Sequence, residues 1–229
     1  MKILNQSQLE RDKELAYITG KSLQFIQSLT VASPDSIRVY NKEDEPEDIE
    51  HLYKTYEHLN LIAYLRTLMK TSATRRHPEL FKLLKQVKNR KCLDFGSGVG
   101  THSIALAENK NEVHMLDVEG SELLHFAVKR FMIRMLPFYV HTHNEVLPEG
   151  YFDVVICSDV LEHVPNPLKE LERIYKTMRK DGILHLLVST MVKPSSGHFQ
   201  SSIDEWKREG QKFMEDHFVM VKPTIWKKK

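Results

Sequence analysis

The sequence predicts an α/β protein: an open, doubly wound sheet, mostly parallel with a C-terminal antiparallel strand, preceded by an N-terminal helical cap. Three observations carry that expectation. Beyond residue 89, short apolar runs alternate with helical stretches, the succession that yields parallel strands joined by right-handed crossovers. Before residue 89, apolar residues recur at helical spacing instead. A glycine-rich turn, "DFGSGVG", stands between the first apolar run and the next helix, where open α/β sheets receive ligands.

In the first part, Leu15, Ile18, Leu23, Ile26 and Leu29 mark one amphipathic helix over residues 7–30. The turn-rich, acidic stretch "SPDSIRVYNKEDEPEDIE" follows; Pro46 suits a first helical turn, and Glu47 and Asp48 suit its positive end. Ile49, Leu52, Tyr53, Tyr56, Leu59 and Ala63 then mark a second helix reaching about Lys70, and Leu80, Phe81, Leu84 and Val87 a third starting at Pro78. In the second part, strands are expected at 91–95, 112–117, 137–142, 152–158 and 182–190, with helices at 101–109, 121–134 and 168–178. A helix over 203–215 leads to "HFVMVKPTIWKKK", which suits a terminal antiparallel hairpin. The chain thus divides into a cap or lid, 1–88, and a ligand-binding domain, 89–229.

Composition narrows the function classes. The chain has 229 residues, 41% hydrophobic and 28% charged, an ordinary soluble profile. Lys and Arg total 33 against 31 Asp and Glu, so the net charge of +2 does not argue for nucleic acid. The N-terminus lacks a signal-peptide apolar core, and the apolar run "GILHLLVSTMV" is too short to span a bilayer, so the expectation is a cytoplasmic protein with no membrane span. Cys92 and Cys157 fall inside expected strands and read as buried thiols, without a disulfide framework.

The glycine turn carries the chemistry. A dinucleotide fingerprint, G-x-G-x-x-G, would need a third glycine where Thr101 stands. What the chain offers is D-x-G-x-G-x-G, through Asp94, Gly96, Gly98 and Gly100. Asp94 would repel a diphosphate but attract an ammonium group. The second strand ends at Asp117, where nucleoside-binding α/β folds place an acid against ribose hydroxyls. A carboxylate can accept from both hydroxyls at once.

Together, "LDFGSGVG", "LDV" around Asp117 and "FDVVICSDVLEHVPNP" resemble the motifs of class I S-adenosylmethionine-dependent methyltransferases. The last stretch is most similar to the small-molecule group that includes the ubiquinone-pathway O-methyltransferases. The resemblance covers about residues 91–190. It implies a Rossmann-like fold, S-adenosyl-L-methionine as methyl donor and S-adenosyl-L-homocysteine as product. Carried over by position, Asp94, Phe95, Gly96, Ser97, Gly98 and Gly100 cradle the amino-acid end of the cofactor. Asp117 holds the ribose, Val118 packs near the adenine, and Ser158 and Asp159 face the cofactor after the fourth strand. The family often has an Asp after the third strand; here His143 and Asn144 stand there, and Asn144 could bond the adenine edge.

Methyl transfer needs alignment of nucleophile, carbon and sulfur, and a base only if the acceptor must lose a proton. His163 is the candidate catalytic base, with Asp159 and Glu162 nearby to orient it, bond substrate or bind a metal. No full ligand cluster is readable, so no metal is expected. The loop "MVKPSSGHFQSS", with Ser195, Ser196, Gly197 and His198, lies where relatives contact substrate, and Tyr40, Tyr53 and Tyr56 could line the lid. The leading expectation is transfer to a small-molecule or lipid-like acceptor, most plausibly at oxygen. An RNA or protein methyltransferase and a non-catalytic cofactor-binding scaffold stand beside it. Lack of an aromatic stacking platform among the basic runs, and "SDVLEHV" after the fourth strand, count against nucleic acid.

Overall fold

The computed structural model describes residues 2–29, 61–71, 78–190 and 198–229. Its centre is a seven-stranded sheet in the order β3-β2-β1-β4-β5-β7-β6. The strands are β1 (Lys91–Phe95), β2 (Glu112–Asp117), β3 (Tyr139–Thr142), β4 (Phe152–Ser158), β5 (Met178–Leu187), β6 (Phe218–Lys222) and β7 (Ile225–Lys228). β1 runs parallel to both β2 and β4, with Leu93 opposite His114 on one side and Val155 on the other. Strand order therefore reverses between β1 and β4, and the carboxyl ends of these two strands are where an open α/β sheet receives a ligand.

Two apolar layers hold the sheet, because successive side chains of a strand point to opposite faces. On one face Cys92, Val113, Met115, Val154 and Ile156 pack with helices α4 (Pro78–Gln86), α5 (Thr101–Glu108) and α6 (Glu122–Met132), through Leu84, Ile104 and Phe131. On the other, Leu93, Phe95, Val155, Cys157 and Leu186 meet Leu171 and Ile174 of helix α7 (Pro167–Thr177). Both cysteines are buried and unbridged, as expected, and burial pushes both thiols up. A third core joins the N-terminal helices α1 (Gln8–Thr19), α2 (Leu23–Ser28) and α3 (Leu61–Thr71) to the sheet domain. Leu15, Ile26, Leu65 and Met69 pack there with Val99 of the glycine turn and with Leu123 and Phe126 of α6.

Several sequence expectations are corrected. The helix expected over 7–30 is broken: Gly20 takes a left-handed φ of 68° that closes α1, and the Ser22 hydroxyl accepts from Phe25 N–H to start α2. Apolar spacing continues across the break, which is why periodicity alone joined the two. The helix expected over 203–215 starts earlier, as α8 (Gln200–Glu205), and reaches α9 (Gln211–His217) through a widened π-helical turn at Trp206–Gly210. β5 begins at Met178, a few residues ahead of the expected start, with an irregularity in its pairing to β4. The terminal antiparallel hairpin forms as expected, with β7 inserted antiparallel between β5 and β6. The second helix is described only over Leu61–Thr71; its expected earlier part and the acidic stretch lie outside the described residues.

Replacing Gly20 puts an L side chain at a left-handed φ, a strain of about 1–2 kcal/mol. Gly20→Ala is expected to lower the unfolding free energy by that amount, read as a lower urea midpoint with an unchanged m value. An equally stable Gly20→Ala would favour the continuous helix.

Candidate active site

Loop geometry follows from where glycine is required. Gly96 has a φ of +74°, and a Cβ there would lie 2.5 Å from Val160 Cγ2. The turn after β1 can therefore lie against the segment leaving β4 only without a side chain at 96. Gly98 is also left-handed, at +50°, but a Cβ there would meet nothing within 4 Å, so the middle of the loop borders open space. The backbone is anchored to β2: Gly96 N–H and Ser97 N–H both donate to the Leu116 carbonyl, at 2.8 and 3.1 Å.

Asp117 completes this anchor. Its Oδ2 accepts from Gly98 N–H at 2.6 Å and its Oδ1 from Val118 N–H at 2.8 Å. The carboxylate is 4% exposed, and burial pushes it up to about 6, against the pull of these two N–H groups and with a small push from Asp94. Asp94 is buried too; Ser103 of α5 donates its hydroxyl to Asp94 Oδ2. Burial raises Asp94, while the neighbouring His102 and the Ser103 hydrogen bonds work in the opposite sense. Tyr64 of α3 stands near Asp117, and burial, with the Asp117 charge, pushes its hydroxyl up to about 12.

Among the described residues, two buried hydroxyls near the carboxyl ends of β1 and β4, Ser97 Oγ and Ser158 Oγ, have no hydrogen-bond partner. A buried polar atom of this kind implies an absent polar partner. Both belong to the expected cofactor set, so the residues present fit a polar cofactor there. Asp159, next to Ser158, adopts a φ of 56°, a left-handed conformation uncommon outside glycine, and Asp159 N–H donates to the Leu187 carbonyl.

Other expected positions fall differently. Phe95 is 3% exposed and lies in the core below the sheet face, with Arg173 over its ring at 5.8 Å, so only its backbone is available to a cofactor. Val118 is buried beside Asp117. Asn144 is exposed on the turn after β3. Arg173 fixes that turn through the carbonyls of His143, at 2.7 Å, and Glu145. His143 N–H donates to the Asp117 carbonyl at 3.1 Å, and its ring reaches Glu119 N–H.

After β4, Leu161–His163 forms a 3-10 turn. Glu162 is fully buried: Oε1 accepts from Ser189 N–H at 2.9 Å, and Oε2 has no hydrogen-bond partner among the described residues. Burial pushes this carboxyl up to about 7, and Asp159 adds to the rise. Phe199 N–H donates to the Glu162 carbonyl at 2.9 Å, which brings His198 to His163 with ring centroids 4.7 Å apart. One ligating atom from each of Glu162, His163 and His198 falls within 4.8 Å of the others. The sequence hid this set because His198 lies far downstream, on the other side of β5. Tyr40, Tyr53, Tyr56, Ser195, Ser196 and Gly197 lie outside the described residues. Tyr64 was missed for want of any signal beyond helical spacing.

The site's architecture has known counterparts. Residues 63–226 match the methyltransferase domain family, and the chain belongs to it. An uncharacterized Methanocaldococcus jannaschii protein is 28% identical over 192 residues, covering 79% of this chain and 82% of that one. An Aliivibrio fischeri ubiquinone biosynthesis O-methyltransferase is 27% identical over 141 residues, 59% of each chain. The chain thus matches about three fifths of that enzyme's length. Among solved structures, Haemonchus contortus phosphoethanolamine N-methyltransferase 2, in complex with S-adenosyl-L-methionine, aligns with a TM-score of 0.48 at 18% identity, covering 62% of this chain and 36% of that one.

Ribose hydroxyls donating to Asp117 would favour its ionised form, and binding would then release the proton it holds below about pH 6. Because the folded value lies above the ordinary one, ionising Asp117 destabilises the empty fold as pH rises through that range. Cofactor affinity is therefore expected to be level above about pH 7 and to fall by up to about tenfold per pH unit below 6. Calorimetric titration across pH checks this; an affinity indifferent to pH between 5 and 7 would remove Asp117 from the binding site.

Proposed function

We propose that this methyltransferase alkylates an oxygen of a small-molecule or lipid-like acceptor, with Glu162, His163 and His198 forming the acceptor-side pole. The observation that carries this reading is the convergence of those three groups after β4. The likeness to enzymes named ubiquinone biosynthesis O-methyltransferase supports oxygen as the target. In the transfer, the acceptor oxygen forms a bond to the methyl carbon as the carbon–sulfur bond breaks. Sulfur keeps the electron pair, giving S-adenosylhomocysteine, and the hydroxyl proton must leave.

Proton removal assigns the roles. The orphan Glu162 Oε2, with two imidazoles nearby, is the donor set a divalent cation accepts, so these residues fit one. A cation bound there would polarise the acceptor hydroxyl and favour its deprotonation. Glu162 is held for either task by Ser189 N–H, and His163 by its N–H bond to the Val160 carbonyl at 2.9 Å. Without a cation, His163 takes the proton directly, and Glu162 stabilises the imidazolium that forms. The earlier expectation of no metal gives way here to a site that fits one.

With S-adenosylhomocysteine release followed over a panel of phenols and catechols, His163→Ala is expected to lower turnover by about a hundredfold while cofactor affinity stays nearly unchanged. Turnover equal to the parent's would remove His163. Adding Mg²⁺ or Mn²⁺ to chelator-stripped protein is expected to raise its melting temperature, and Glu162→Gln to abolish the rise; no metal-dependent shift leaves His163 acting as the base alone.

A further inference from the structure

The N-terminal helices reach the cofactor loop through one buried charge. Arg130 of α6 is 1% exposed, in a position where a guanidinium must be paired. Its Nε donates to Glu14 Oε1 at 2.8 Å, and its Nη1 donates both to the Val99 carbonyl and to Thr101 Oγ1, the latter at 3.0 Å. Glu14, on α1, is itself buried and also takes two bonds from Arg134, at 2.7 and 2.8 Å. A continuous line thus runs from the cap, through Glu14 and Arg130, into the backbone of "GSGVG".

We propose that Arg130 is a positioning residue for the cofactor loop, and that Glu14 is the cap's counter-charge that keeps it in place. Val99 stands between Gly98 and Gly100, both left-handed, at φ 50° and 70°. Glycines leave such a stretch many other conformations when nothing holds it. A charged donor on the Val99 carbonyl fixes the plane of the peptide between Val99 and Gly100, because the peptide unit is rigid. Neighbouring N–H groups then keep one direction, including Gly98 N–H on Asp117. Thr101 stands where a dinucleotide loop would have its third glycine, and its hydroxyl partners Arg130; glycine there would forfeit that bond. Val99 also packs in the same core as Leu15, Leu65 and Met69 of the cap. The helices at the front of the chain thereby act on cofactor affinity through the loop, without needing to touch the ligand. By linkage, cofactor binding must in turn stabilise the contact between cap and loop.

A purely structural ion pair makes a different forecast from a positioning one. Replacing both partners, in Glu14→Gln/Arg130→Met, removes the uncompensated buried charge but leaves the Val99 carbonyl unheld. The expected result is a melting temperature near the parent's with S-adenosylhomocysteine bound roughly tenfold more weakly. Wild-type affinity in a stable double variant would overturn the proposal. If that variant does not fold, Thr101→Val decides: affinity should drop several-fold and return in Thr101→Ser, and an unchanged affinity in Thr101→Val would overturn it equally.

Discussion

The carboxylate of Asp117, buried and bonded to Gly98 N–H, is the constraint on which the cofactor side depends. It closes β2 onto the turn that leaves β1 and sets the middle glycine of the loop. A buried carboxylate is unfavourable unless it is hydrogen-bonded, and two backbone N–H groups serve it here. Even so, burial keeps it close to neutrality at mildly acidic pH, as suits a group whose full complement of donors arrives with the ligand.

The surroundings share this unfinished polarity. Ser97, Ser158 and Glu162 each carry a buried oxygen without a hydrogen-bond partner among the described residues, and all three lie at the end of β4 or on the segments leaving β1 and β4. Sheet topology explains the concentration. Where strand order reverses, the connections leaving β1 and β4 diverge to opposite faces of the sheet. The loop after β1 carries the glycines and Ser97, and the turn after β4 carries Glu162 and His163. Arg130 serves the first of these, as a buried cation whose partners come from two parts of the chain.

Much of this was legible in the sequence, for local reasons. β1, β2 and β4 begin and end where apolar runs meet polar or glycine residues, so their expected and observed limits coincide. Asp117 and the glycines were readable because their roles depend on spacing within one βαβ unit. What escaped notice depends on contacts between distant segments. His198 reaches His163 only because residues 198–203 pack on the turn after β4, with Ser202 Oγ donating to the Val164 carbonyl. Glu14 and Arg130 look like ordinary charges on amphipathic helices until the fold buries them against each other. The break at Gly20 was obscured by apolar periodicity that runs through it, and Phe95 was assigned to the ligand though its side chain belongs to the core.

The account's central claim is that Asp117 and the glycine loop form one cofactor cradle. Calorimetric titration of S-adenosylhomocysteine into the wild-type chain and Asp117→Ala tests it most directly. The account predicts saturable binding to the wild type and a loss of about ten- to a hundredfold in Asp117→Ala, as expected for removing hydrogen bonds to a charged group. Equal affinity in the two proteins, or no binding to the wild type at near-millimolar ligand, would contradict it.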